Sequence, residues 1–130
     1  MRPSDKYSNL VKAAERLVEA INRVQAAPED DLLRSGLIQT FEFAIELSWK
    51  FLKSSLEAEN YVVKTPREAI RLAANAGLIE DVRGWLMALD SRNLTSHIYD
   101  DKLAKDIAEK IINIYAPLLI KLVQHNQNYS

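Results

Sequence analysis

The sequence contains no cysteine, which excludes a disulfide framework and a thiolate metal site. Such a composition is compatible with the cytoplasm, where we expect the protein to act. Its 3 glycines and 4 prolines are few, which suits helices joined by short connections. No apolar run approaches the ~18–20 residues that a membrane span needs. The polar start, Met1 to Lys6, has no signal-peptide core. Net charge is −1, so the chain lacks the positive field to coat nucleic acid, and any RNA or nucleotide contact must come from a local basic site. Histidine is scarce as well. Of the 2 present, His97 lies within the chain and His125 in a polar tail, which reads as frayed and without a role.

What is present fits one domain over residues 1–130. A chain of that length with 48% hydrophobic residues can bury a core. In residues 4–27, Leu10, Ala14, Leu17, Ile21 and Val24 recur at steps of four and three, the apolar seam of a bundle helix capped by Ser4 or Asp5. Pro28-Glu29-Asp30-Asp31 reads as the next helix start. That helix continues to Glu59, at about 30 residues far longer than the usual 11–12. Its seam is Leu33, Leu37, Phe41, Ala44, Ser48, Phe51 and Ser55. Thr65-Pro66-Arg67-Glu68 is a capping box with proline in the first position. It opens a short third helix that ends at Gly77, in the role of the left-handed residue past the end. A fourth helix begins near Glu80-Asp81 and carries Val82, Trp85, Leu86 and Leu89 on one face. A fifth opens at Asp100-Asp101. Its apolar residues come in doubled pairs from Leu103/Ala104 to Leu122/Val123, covering about half of its circumference. The surplus reads as a subunit interface, or else as a helix central to the bundle. Pro117 lies inside it and predicts a kink. The expected fold is all-α: an up-and-down four-helix bundle with an additional short helix, dimeric.

Chemistry concentrates between the fourth and fifth helices, in Arg92-Asn93-Leu94-Thr95-Ser96-His97-Ile98-Tyr99. On one continuous helix, Arg92 and His97 would point about 140° apart. To face one substrate, the helix must end between them, or the two must meet across a dimer. Thr95 and Ser96 suit such an end, because their hydroxyls compete for backbone bonds. A guanidinium binds phosphate through a forked pair of bonds, and an imidazole moves protons at neutral pH. Together they suit metal-free RNA cleavage, with His97 moving protons, Arg92 stabilising phosphoryl charge and Asn93 orienting the phosphate. Tyr99 could stack on a base or accept a group at its hydroxyl. From spacing alone, the same residues also fit a polar turn with a hydrogen-bonded histidine.

The stretch resembles the Arg-x4-His-x-Tyr signature of HEPN domains, and most closely their HepT-like branch of nucleotidyltransferase substrate-binding proteins. Residues 41–50, 65–71, 77–81 and Tyr115-Ala116-Pro117-Leu118 resemble that branch too, so the likeness runs from about residue 7 to 123. The resemblance implies a helical bundle that forms a homodimer, with Arg92, His97 and Asn93 catalytic in a shared cleft and RNA as substrate. It implies a toxin–antitoxin pair in which an MntA-like nucleotidyltransferase uses ATP and Mg²⁺ to attach AMP to Tyr99. The cofactors would be the partner's, with no metal of this chain's own. AMP on Tyr99 would set a bulky anion beside Arg92.

Other polar residues have plainer readings. Glu42, Glu46, Lys50 and Lys53 read as a solvated, ion-paired face, or else as a partner contact; Asp100-Asp101 read as helix caps rather than metal ligands, and Trp49 and Trp85 as core. Arg67, Arg71 and Arg83 read as solvated surface, or as an extension of a basic cleft. Two other functions compete with the ribonuclease: a non-catalytic subunit that binds nucleotide or docks the transferase, and a purely structural helical oligomer.

Overall fold

The computed structural model describes residues 2–129, which form helices and turns and no strand. Helix α1 spans Pro3–Ala26, α2 Asp31–Ala58, α3 Pro66–Asn75 and α4 Val82–Leu94. A 3₁₀ turn, Thr95–His97, follows α4. The last rod is α5, Asp101–Lys110, a π turn at Ile111–Tyr115, and α6, Ala116–His125. Counted as rods, these are the five expected helices. Helices α1 and α2 form a hairpin, α5 packs on α2, α6 closes on α1, and the short α3 bridges α2 and α4. No helix among the described residues is long and apolar enough to cross a membrane.

The core follows the seams. On α1, Leu10, Ala14, Leu17 and Val24 are buried; on α2, Leu37, Phe41, Ala44, Ser48, Phe51 and Ser55. Ser48 returns its hydroxyl to the Ala44 carbonyl at 2.7 Å, which lets a hydroxyl lie in an apolar interior. Phe41 stacks on Tyr115, ring centres 5.3 Å apart, joining α2 to the π turn.

Several helix starts differ from expectation. Helix α1 begins with Arg2 at its cap and Pro3 in its first turn, with no side-chain cap; proline's fixed φ makes that start without Ser4 or Asp5. Helix α2 begins after Pro28, because the Asp30 carboxylate accepts from the Leu32 and Leu33 amides. The Pro28 carbonyl instead accepts from the buried Arg34 guanidinium at 3.0 Å. In α3, Thr65 caps the Glu68 amide at 3.1 Å, but Glu68 reaches the Lys64 amide rather than that of Thr65.

Much of the doubled apolar face of the last rod is buried within the chain. Ile107, Ala108, Ile111, Tyr115, Ala116, Leu119 and Leu122 are buried, and Leu103, Ala104, Ile112, Ile114, Leu118 and Val123 pack half-buried against the core. The rod is central to the bundle, which accounts for the buried part of the wide stripe. Pro117 is absorbed by the π turn, in which the Ala116 amide bonds the Ile111 carbonyl. The wide turn ends just before Pro117, which enters in the first turn of α6, the helical position that tolerates proline best. Two tail residues also make contacts with the bundle. His125 Nε2 lies 3.0 Å from the Gly77 carbonyl, and the buried Asn126 amide donates to the Leu122 carbonyl at 2.8 Å.

Candidate active site at the end of α4

Helix α4 ends at Leu94 and the chain tightens into the 3₁₀ turn. The two hydroxyls at the break do what their chemistry allows: Thr95 Oγ1 bonds the Arg92 carbonyl at 2.6 Å and Ser96 Oγ the Asn93 carbonyl at 3.4 Å. Arg92 therefore stands in the last turn of α4, and His97 at the end of a different element. Asp100 caps α5 through the Leu103 amide at 2.8 Å, so the connecting residues are held at both ends.

Arg92 is the best-anchored member. Its Nε lies 3.2 Å from Glu46 Oε1 and its Nη1 3.9 Å from Glu42 Oε2. The Nε–H is buried yet makes no hydrogen bond: the Glu46 oxygen is close enough but out of line, so the contact is Coulombic. Glu46 is itself held by the Trp49 indole, whose Nε1 donates to Oε2 at 3.2 Å. Glu42 Oε2 also accepts from Thr95 Oγ1 at 2.8 Å. The expected solvated, ion-paired face of α2 is thus, at Glu42 and Glu46, ion-paired with Arg92 and forms a half-buried wall behind it. Trp49 packs half-buried against the core and borders that wall.

The other members are open. Asn93 and His97 are exposed, and His97 has no hydrogen-bond or ion-pair partner among the described residues. No such bond joins Arg92 to His97 within one chain. Tyr99 is 86% exposed, while its neighbour Ile98 packs against the core. A hollow of ≈ 220 Å³ beside Tyr99 is lined by Asp31, Arg34, Ser35 and Asp100 among others, and not by Arg92. Arg67, read as surface or cleft, is tied to Asp90 of α4 at 2.7 Å; Arg71 and Arg83 are exposed.

Glu42, Glu46 and Thr95 were named from the sequence but not joined there to Arg92. One signal was available: two carboxylates four apart on a helix repel each other, and the repulsion is relieved when a cation from another element lies against both.

The model of the family described as "Nucleotidyltransferase substrate binding protein like" matches residues 5–128. A curated Haemophilus influenzae protein, named "Probable ribonuclease HepT", is 34% identical over 114 residues, 80% of this chain and 77% of that protein. A solved structure from Haemophilus influenzae, described as revealing the fold of a substrate binding domain of a nucleotidyltransferase, superposes with a TM-score of 0.81. It has 28% identity and covers 91% of this chain and 96% of that one. A Thermus thermophilus structure superposes at 0.77, with 33% identity, covering 88% and 96% of the two chains. The chain therefore belongs to the nucleotidyltransferase substrate binding protein like family, as a HepT-like member.

Proposed function

We propose that this chain is a metal-independent HEPN ribonuclease, the toxin of a toxin–antitoxin pair, silenced when a partner nucleotidyltransferase of the MntA-like kind transfers AMP to Tyr99. The observation that carries the reading is the break after Leu94. It puts the guanidinium and the imidazole on separate elements and leaves Asn93, His97 and Tyr99 open to solvent. In the reaction, the ribose 2′-oxygen attacks the adjacent phosphorus and the bond to the 5′-oxygen breaks. His97 takes the 2′-hydroxyl proton, and an imidazolium of this or a paired copy protonates the leaving oxygen. Arg92 neutralises charge on the phosphoryl oxygens, and Asn93 orients them. The products are a 2′,3′-cyclic phosphate and a free 5′-hydroxyl. No step needs a metal ion.

Silencing is an ordinary adenylyl transfer. The Tyr99 oxygen attacks the α-phosphorus of ATP, pyrophosphate leaves, and the phenolic proton is lost to solvent. The exposure of Tyr99 supports this role, since an acceptor must enter a second enzyme's site. A homodimer supports a complete cleft: Phe43 and Leu94, 57% and 48% exposed, flank Glu42 and Arg92 in sequence on α2 and α4, and apolar exposure there invites a second copy.

A second reading has its own support. Arg92 is already paired with carboxylates, which favours a substrate-binding subunit of a two-component nucleotidyltransferase. One experiment separates the two. The purified protein is incubated with RNA in a chelator. Cleavage to cyclic phosphate ends, lost in His97→Ala with the oligomeric state unchanged, is the expected result. Intact RNA of every sequence tested, beside tight binding of the transferase, would establish the subunit instead. Incubation with that transferase and ATP is expected to add one adenylyl mass to the wild type and none to Tyr99→Phe.

A further inference from the structure

The acidic wall of α2 calls for an explanation, because placing carboxylates against a phosphate-binding guanidinium opposes the anion it should attract. Two carboxylates face one guanidinium, so the trio carries a net negative charge. The geometry resolves the conflict. Glu46 meets the Nε edge of Arg92 at 3.2 Å, while Glu42 comes only within 3.9 Å of Nη1, beyond hydrogen-bond distance. The end-on pair of nitrogens, Nη1 and Nη2, makes no hydrogen bond among the described residues. The end-on fork that can grip phosphate is therefore free of hydrogen bonds, while the Nε edge is backed by Glu46.

The backing is itself braced. Trp49 Nε1 holds Glu46 Oε2, leaving Oε1 for Arg92. Glu42 Oε2 meets both Arg92 Nη1 and the Thr95 hydroxyl. That hydroxyl carries one proton, shared between Glu42 and the Arg92 carbonyl. Through Thr95 the carboxylate of α2 touches the turn that ends in His97. The buried, unpaired Nε–H of Arg92 is a donor with an acceptor in reach but out of line. Such contacts in unliganded sites often tighten only in the reacting complex.

We infer that Glu46 and Glu42 are positioning residues of the ribonuclease site: Glu46 aims the Arg92 fork, and Glu42, through Thr95, sets the turn bearing His97. The inference rests on the ribonuclease reading for its kinetic consequence but not for its geometry. Anion binding at the open fork pulls the guanidinium into line, and the Nε–H bond to Glu46 completes as the phosphate is gripped. A group aimed this way contributes to the transition state more than to ground-state binding.

Glu46→Gln keeps an acceptor for Trp49 and removes the charge; Thr95→Val removes the hydroxyl and keeps the shape, with Thr95→Ser as its rescue. Melting curves first establish that each variant is folded. For RNA cleavage, Glu46→Gln and Thr95→Val are expected to lower kcat on the order of 10–100-fold, with KM little changed and Thr95→Ser near wild type. Equal or higher kcat in Glu46→Gln would mean that the carboxylates mask Arg92, and would overturn the inference. A readout independent of activity is the Arg92 Nε–H nuclear magnetic resonance signal, assigned by its loss in Arg92→Lys. It is expected to shift and to exchange faster with water in Glu46→Gln. An unmoved signal would overturn the positioning of Arg92 whatever the kinetics. Failure of the wild type to cut RNA would instead count against the ribonuclease reading, leaving the resonance to decide the geometry.

Discussion

Gly36 and Gly77 both have open space where a Cβ would stand, yet they should respond to alanine in opposite directions. Gly36 is an exposed interior residue of α2, where glycine is about 1 kcal/mol worse than alanine. Gly77 sits at φ +80, past the end of α3, where its successor's amide bonds back to Ala73 at 2.9 Å. A Cβ there costs about 1–2 kcal/mol. In urea unfolding, the midpoint should therefore rise for Gly36→Ala and fall for Gly77→Ala. At this scale the sequence was informative wherever one residue type answers one local need: Gly77 past a helix end, Thr65 and Asp100 at helix starts. Asn60, at φ 70 after α2, meets the same need as Gly77 without glycine's signal, and escaped notice. The pairing of Glu42 and Glu46 with a cation of another helix escaped for a different reason. Their partner, Arg92, lies some fifty residues away along the chain, and no spacing rule reaches across that gap.

Between elements, a single buried bond fixes how α4 is turned. Ser91 Oγ lies 2.6 Å from Tyr115 Oη, and Tyr115 also donates to the Met87 carbonyl at 3.3 Å. Ser91 immediately precedes Arg92, so the rotation that buries one exposes the other toward α2. The π turn delivers Tyr115 to this contact by inserting an extra residue between α5 and α6. Tyr115→Phe leaves the buried Ser91 hydroxyl without its phenol partner, which should cost about 1–3 kcal/mol. Adding Ser91→Ala should cost less than the sum of the two single losses, because the hydroxyls share one interaction. A denaturation cycle over the four proteins measures this, and strict additivity would count against the pairing. The helices themselves were legible from periodicity. The π turn was not: Pro117 announces a disturbance, but whether the rod bends or widens depends on what Tyr115 can reach.

On the scale of the whole molecule, the chain is closed by its first and last helices. Tyr7 of α1 is buried against the core, and its hydroxyl donates to the Val123 carbonyl of α6 at 2.7 Å. Its ring packs on Phe51 of α2, centroids 5.7 Å apart, so one side chain joins three helices. Neither the partner nor the closure could be read from the sequence, because Tyr7 precedes the apolar seam of α1 and its acceptor is a backbone atom at the other end of the chain. Burial raises the phenol's pKa above its ordinary 10.0. The folded state thus holds this proton more tightly than the unfolded chain, so the unfolded chain loses it first as pH rises. The bond's contribution is complete below pH 10, and declines as pH climbs from there through the raised folded value. The melting temperature of the wild type should fall with alkalinity above that point. Tyr7→Phe should melt lower than the wild type at neutral pH, by the loss of one hydrogen bond worth about 1 kcal/mol. It should then lose less on going to high pH, so that the two curves converge. Parallel curves across that range would show that the closure of α1 on α6 does not depend on this proton.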